Sequence, residues 1–480
     1  MRRPILCLTL LALTWGYAVF QGGGVLPQHW NLCLLALGAV ALLFWIGRPA
    51  GESSAPLGPV VRWLALLLPA YVAFQLLPLP ASVLGILSPE RAGLLAGLGP
   101  VLADPTHAAI SVLPSATLPH LLRFCAYAVL FLLVAELTRQ HSRRPWVLVA
   151  PIVAIAGLEA ALGVLQSALA GPQAGARGTY VNRNHFAGLL EMALPFAATY
   201  PFVVMSRVRS HQRSSVTPAF PAGIVLSLAA LILIGILVSL SRMGFLVSVC
   251  SLALMAMFAF WRLAPPGWGL SRFKRGIAAG LVACLAMAAL VILPPDRLVD
   301  RFAALSSSEE ITADGRLALW AESWDLLKDY PLFGVGLGAY EAAFLKYKKS
   351  APMKSDDYAH NDYLQLLAEL GAVGFLLAAS LVTALLARAI RVSSRRPAPD
   401  HRYLGLACAG SMTALLLHST VDFNLYIPAN GLLFAWVLGV AAGLRLPARA
   451  ISPSPQRVLK MVEVEPQVVL RPGAAKGTVG

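Results

Sequence analysis

The chain has 480 residues and a formal net charge of +15, yet only 13% of its residues are charged and 58% are hydrophobic. A soluble protein of this length carries about twice that share of charge, and many apolar runs here reach the roughly 20 residues that cross a bilayer. Composition therefore excludes a soluble globular protein, and the placement of Lys and Arg between apolar runs reads as membrane topology rather than nucleic-acid binding.

The first 20 residues place Arg2 and Arg3 ahead of an apolar run without a clean small-x-small cleavage site, which reads as a retained first span rather than a signal peptide. Further spans are expected near 28–46, 60–79, 119–138, 146–169, 185–205, 221–240, 243–261, 276–293, 362–388, 403–418 and 427–445, about 12 in all. With the N-terminus in the cytoplasm, every inner connection is basic: Arg139, Arg143 and Arg144; Arg207, Arg209 and Arg213; Arg262, Arg272, Lys274 and Arg275; Arg388, Arg391, Arg395, Arg396 and Arg402. That is the positive-inside pattern, and it puts both termini in the cytoplasm. Residues 1–446 are expected to form one integral membrane domain. Residues 447–480, rich in Pro, Val and Lys without helical period, are expected to be a disordered cytoplasmic tail. All six cysteines fall inside apolar spans, so neither a disulfide nor a metal site is expected.

Two outer connections are long. One, about 80–118, is rich in Pro, Leu and Ala. The other, about 294–361, is the only substantial polar module. Within it, Leu317, Trp320, Trp324 and Leu327 recur at helical spacing and predict an amphipathic helix from Arg316 to Lys328. Asp314-Gly315 starts it and Tyr330-Pro331 stops it. Its apolar face is expected to lie on the membrane surface or to pack on the bundle. A second short helix is expected from Ala339 to Lys349. The intervening Gly334-Val335-Gly336-Leu337-Gly338 lacks a following Gly-Lys-Ser/Thr and reads as a flexible turn, not a phosphate loop.

The polar module re-enters the membrane at Asp356-Asp357-Tyr358-Ala359-His360-Asn361-Asp362. A histidine there sits at the water–bilayer boundary, suited to moving a proton between aqueous and lipid-borne groups. On a helix, His360, Leu364 and Gly371 would share one face, with Asp356 or Asp357 as the cap. The helix N-terminus disfavours the imidazolium while the nearby carboxylates favour it. The plainer alternative is an interfacial histidine that anchors a helix end. Arg242 interrupts about 40 nearly continuous apolar residues at the outer end of two spans. It either snorkels to headgroups or binds an anion, and a guanidinium suits diphosphate. Arg316 taken alone is a helix-start charge. Arg177 and Arg183, in Arg177-Gly178-Thr179-Tyr180-Val181-Asn182-Arg183-Asn184-His185, suggest an anion- or sugar-binding loop, with His185 as supporting structure. Intramembrane Glu136, Glu159, Glu191 and Glu369 raise a reading of another class, a proton-coupled transporter, although paired inverted halves are not visible.

The pattern His360-Asn361-x-x-Leu364 with Gly371, the stretch Gly315-Arg316-x-x-x-Trp320, the run Asp329-Tyr330-Pro331-Leu332-Phe333-Gly334-Val335-Gly336 and the block from Arg177 resemble the O-antigen ligase and polymerase superfamily over about residues 120–445. The resemblance implies an all-α, polytopic membrane helix bundle of about 12 transmembrane helices with a helical periplasmic loop module. It implies a glycosyltransferase without metal or cofactor in the bacterial inner membrane, with its active site facing the periplasm. The donor partner would be a glycan on undecaprenyl diphosphate, and the acceptor lipid A–core (ligase), a lipid-linked repeat (polymerase) or a protein hydroxyl; a flippase is the distant alternative. By the same resemblance His360 would be the general base, and Arg242 and Arg316 would hold the diphosphate. Beyond the resemblance, Arg177, Arg183, Asn361 and the aromatic-rich loop around Tyr340 and Tyr347 are further candidates for contact with glycan or donor.

Overall fold

A computed structural model describes residues 2–46, 57–102, 106–170, 175–210, 219–263, 313–349, 357–395 and 398–445. The chain through Leu446 forms one compact unit. Helices occupy eleven of the expected spans: α1 (Arg2–Phe20), α2 (Pro27–Ile46), α3 (Pro59–Gln75), then, after the first long connection, α7 (Pro114–Gln140), α8 (Ala150–Ala170), α9 (Arg183–Ser210), α10 (Ala219–Val238), α11 (Arg242–Leu263), and finally α14 (Asp362–Ser394), α15 (Pro399–His418) and α16 (Pro428–Gly443). Seven of these are long and apolar enough to cross a membrane by themselves, and α3, α16 and most of α10 are shorter apolar helices. The expected span at 276–293 and the tail at 447–480 lie outside the described residues.

The bundle is built around α16, in which every residue is buried, as a helix apolar all round must be. Small residues let α7 approach it. A Cβ at Gly439 would lie 2.8 Å from the Phe131 carbonyl oxygen, and one at Gly443 2.6 Å from that of Ala135. Gly431 lies against the Tyr127 hydroxyl in the same way. The resulting ladder of small residues is the usual route to close helix packing in lipid. On the far side, α9 packs against α10 and α15.

The first long connection has more structure than its composition suggests. It holds α4 (Ala81–Leu87), α5 (Pro89–Gly97) and α6 (Gly99–Leu102), closed by an antiparallel pair of β1 (Leu79–Pro80) and β2 (His107–Ala108). The polar module contributes α12 (Ala313–Asp329) and the five-residue α13 (Tyr340–Phe344), much shorter than the Ala339–Lys349 expected. The face that α12 buries is only in part the predicted one: Trp320 packs against the module core, but the stripe is rotated. Leu319, Ser323, Leu326 and Tyr330 are buried, whereas Leu317 and Trp324 are more than half exposed. The two stripes share the helical period and differ by rotation, because Ser323 is pulled inward to meet the Tyr340 hydroxyl at 2.6 Å.

The glycine-rich segment before α13 is pinned rather than flexible. Helix α14 breaks at Gly371 (φ 64°, ψ −177°), a conformation essentially confined to glycine. The backbone groups freed at the break are taken by residues 331–336. Val335 N–H donates to Ala368 O, Gly336 N–H to Glu369 O, and Ala372 N–H to Pro331 O, at 2.9, 3.0 and 2.9 Å. Gln75 Nε2 adds bonds to Phe333 O and Glu369 O at 2.8 and 2.9 Å. A broken membrane helix needs such partners, since hydrocarbon offers none.

Candidate active site

Helix α14 begins with a side-chain cap. Asn361 is extended, and its Oδ1 accepts the backbone N–H groups of Tyr363 and Leu364 at 3.0 and 3.1 Å. The cap is therefore Asn361 and not Asp357; Asp356 lies outside the described residues. His360 precedes the cap with φ +49°, a left-handed conformation uncommon for a residue with a side chain. It consequently does not share the helical stripe of Leu364 and Gly371, which corrects the face inferred from spacing. The preceding residue is held on both sides: Ala359 N–H donates to Gln365 Oε1 at 2.7 Å, and Ala359 O accepts from Trp320 Nε1 of α12 at 2.9 Å. These bonds over-determine the strained turn, as persistent strain requires.

The turn aims His360 at the connection between α15 and α16. Asp362 fastens that connection to the start of α14: its N–H donates to Ser419 O and Asp422 O at 2.9 and 3.1 Å, and its Oδ2 accepts from Ser419 Oγ at 2.7 Å. Asp422, 3% exposed, then faces three imidazoles. His185 Nε2 lies 3.6 Å and His360 Nδ1 3.9 Å from Oδ1, and His418 Nε2 lies 3.8 Å from Oδ2. Burial alone would raise the Asp422 carboxyl. The imidazoles of His185 and His418 and the Phe423 N–H outweigh burial and hold it well below the ordinary carboxylate range. Phe423 is the floor of the site. Tyr358 stacks on it at 4.1 Å, and His185 and His360 meet it edge-on at 4.7 and 4.9 Å. Of the three imidazoles, His418 and His185 are buried, while the His360 side chain keeps 24% of its surface exposed. His360 is thus the one an external hydroxyl can reach, with a carboxylate behind it to orient the ring.

The other sequence-derived candidates are distributed as follows. Arg316 lies one turn before Trp320 on α12, and its Nε is buried with no hydrogen-bond partner among the described residues. Arg242 is the first residue of α11, after Ser241 Oγ accepts the Gly244 N–H at 3.2 Å. Gly244 packs on Ala187 of α9, where an added Cβ would lie 2.5 Å from the Ala187 Cβ, so Arg242 belongs to the end of α9 that carries His185. Arg177 is exposed in a turn, and Arg183 starts α9 beside Gly175. That turn is tied to α8 through Glu159, which accepts from Thr179 N–H and Oγ1 at 3.0 and 2.7 Å. Tyr340 is fully buried, bonded to Ser323 and stacked on Phe344 at 5.1 Å. These contacts tie α12 to α13 within the module.

An apolar cavity of about 310 Å³ runs between α3, α7, α14 and α16, from Arg123, Tyr363 and Tyr426 down to Leu386 and Leu438. Its upper end adjoins the start of α14. The carboxylates that suggested a transporter are all partnered. Glu191 meets His418 at 2.9 Å, Glu369 accepts from Gly338 N–H and the Tyr426 hydroxyl at 2.8 and 2.7 Å, and Glu136 pairs with Arg139 at 2.8 Å.

Sequence reasoning missed Asp422, His418, Tyr358 and Phe423. The only available signal was the spacing of His418 and Asp422, four residues apart at the end of a span. No curated protein matches the chain. The O-antigen ligase family model matches residues 227–379, which hold Arg242, Arg316 and His360, and over that stretch the chain carries an O-antigen ligase family domain.

Proposed function

We propose that this protein transfers a glycan from undecaprenyl diphosphate to an acceptor hydroxyl, at the periplasmic face of the bacterial inner membrane, as an O-antigen ligase. His360 takes the proton of the acceptor hydroxyl. The freed oxygen attacks the anomeric carbon, the bond from that carbon to the diphosphate oxygen breaks, and undecaprenyl diphosphate leaves with the electron pair. A single displacement inverts the anomeric centre. The diphosphate leaving group is already activated, so the protein supplies position, deprotonation and charge stabilisation. Asp422 is a positioning residue that orients His360 and stabilises its imidazolium. Arg316 and Arg242 neutralise the diphosphate, and the buried Nε of Arg316, which has no hydrogen-bond partner among the described residues, suits that task. Arg177 and Arg183 face the glycan or donor, and Asn361 acts through its cap on α14. The apolar cavity accepts the first part of the isoprenoid chain.

The observation that carries this reading is the pairing of a left-handed, partly exposed His360 with a buried Asp422, at the point where a polar module meets a membrane helix. The test is reconstitution with a lipid-linked oligosaccharide and separate acceptors. Ligation predicts product on lipid A–core. Longer lipid-linked chains would make the protein a polymerase, glycosylated protein would make it a protein glycosyltransferase, and a change of sidedness without a new bond would overturn glycosyl transfer.

A further inference from the structure

A second cavity, of about 1060 Å³, opens at the other end of the bundle, among the ends of α8, α9 and α10. Arg207, on its wall, lies 22 residues beyond His185 along α9, about 33 Å away at the helical rise. The mouth carries Arg143, Arg144, Arg207 and Asp400. Asp400 is paired with Arg207, so the excess positive charge rests on the exposed Arg143 and Arg144. Beneath the mouth the lining becomes apolar: Val153 and Ala154 of α8, Phe196 of α9, and Val225 and Leu228 of α10. Leu228 closes the bottom against Gly157, where an added Cβ would lie 2.4 Å from the Leu228 Cδ1. From Arg207 to Phe196 the shaft follows α9 for about 16 Å. Trp146 and Tyr200 meet at its edge with ring centroids 5.0 Å apart, the aromatic pairing typical of the headgroup level.

A cationic mouth over an apolar shaft fits one kind of molecule. A free anion would leave the shaft unused, and a lipid without net charge would leave Arg143 and Arg144 unused. We propose that this cavity binds an anionic glycerophospholipid, phosphatidylglycerol or cardiolipin, with a phosphate between Arg143 and Arg144 and an acyl chain along the shaft. Basic pockets between helices at the cytoplasmic surface are suited to such headgroups. The lipid would brace α9, whose opposite end carries His185. The proposal depends on the chain spanning a membrane and not on glycosyl transfer.

The test uses the full-length protein in a neutral detergent. Lipid retained through purification is quantified by native mass spectrometry, and thermal unfolding is followed with cardiolipin, phosphatidylglycerol, phosphatidylcholine or inorganic phosphate added. Anionic lipid is expected to be retained and to raise the melting temperature, with phosphatidylcholine and phosphate inactive. The double variant Arg143→Ala/Arg144→Ala should bind anionic lipid roughly thirtyfold more weakly, from the contribution of two basic side chains near a phosphate. Ala154→Phe, which fills the shaft and leaves the mouth intact, should also lower retention. The proposal is overturned if both variants retain anionic lipid like the unmodified protein, if phosphatidylcholine binds as well, or if inorganic phosphate alone reproduces the stabilisation.

Discussion

His185 and Asp422 lie far apart along the chain, yet their Nε2 and Oδ1 atoms lie 3.6 Å apart, and the same oxygen faces His360 Nδ1 at 3.9 Å. With His418 Nε2 at 3.8 Å from its other oxygen, one buried carboxylate thus faces three imidazoles, of which His360 is the partly exposed one. That places Asp422 at the centre of the site, and its replacement is the most informative single change.

Asp422→Asn keeps the shape and removes the charge. Glycosyl transfer should fall by about tenfold or more, less than on removal of His360 itself, because in the proposed mechanism Asp422 acts through the base. The pH dependence of stability has a definite sign. The Asp422 carboxyl is held well below the ordinary value by its imidazole neighbours. Its stabilising contribution is therefore complete above about pH 4, the unfolded value, and is lost as pH falls through the depressed folded value. The gap in melting temperature between the parent and Asp422→Asn should be largest near neutrality and close on acidification. A gap that widens in acid would contradict the assignment.

His360→Ala should lower turnover of lipid-linked oligosaccharide by about 10² to 10⁴, the usual contribution of a general base. The side chain is partly exposed, so the melting temperature should change little. Turnover retained at the parental level would remove His360 from the mechanism.

Arg242 and Arg316 are expected to act through bidentate geometry as well as charge. Arg242→Ala and Arg316→Ala should each weaken apparent donor affinity, and Arg316→Lys should restore only part of it, because lysine offers a point charge where the guanidinium offers a planar fork. Titration of the donor against each variant checks this. An unchanged apparent donor affinity in both alanine variants would count against diphosphate binding.

The spans were legible because apolar length is a one-dimensional signal, and α1, α2, α8 and α9 fall close to where composition puts them. His360 was legible as an ionisable group at a span boundary. Its direction was not, since the face inferred for it assumed that α14 begins before His360, whereas Asn361 caps the helix one residue after it. Asp422 was hidden for another reason. It lies in a short connection between two apolar helices, and its importance comes only from α9, α14 and α15 converging on it. The rotation of the buried face of α12 was likewise set by a partner, Tyr340, distant enough in sequence that helical period alone gave no hint of it.

The break in α14 yields the sharpest stability prediction. Gly371 has φ +64° and ψ −177°, and a Cβ there would lie 2.3 Å from the Leu332 carbonyl oxygen. Across the same junction, a Cβ on Gly334 (φ +68°) would lie 2.4 Å from the Glu369 carbonyl oxygen. The obstructing atoms are backbone, so no rotamer change relieves either contact. Gly371→Ala and Gly334→Ala should therefore each destabilise the protein by about 2 kcal/mol or more, combining an unfavourable backbone conformation with a clash. The bonds at risk tie residues 331–336 to 368–373, and α12, which ends just before that segment, fixes Ala359 through Trp320. Activity should thus fall with melting temperature in these variants, although neither glycine touches His360. Gly374→Ala is the appropriate comparison, since its added Cβ would meet the ring of Tyr71 at 2.4 Å, a side chain, and its backbone does not adopt a positive φ. If Gly371→Ala melted at the parental temperature while Gly374→Ala did not, the break would not be the constrained junction described above.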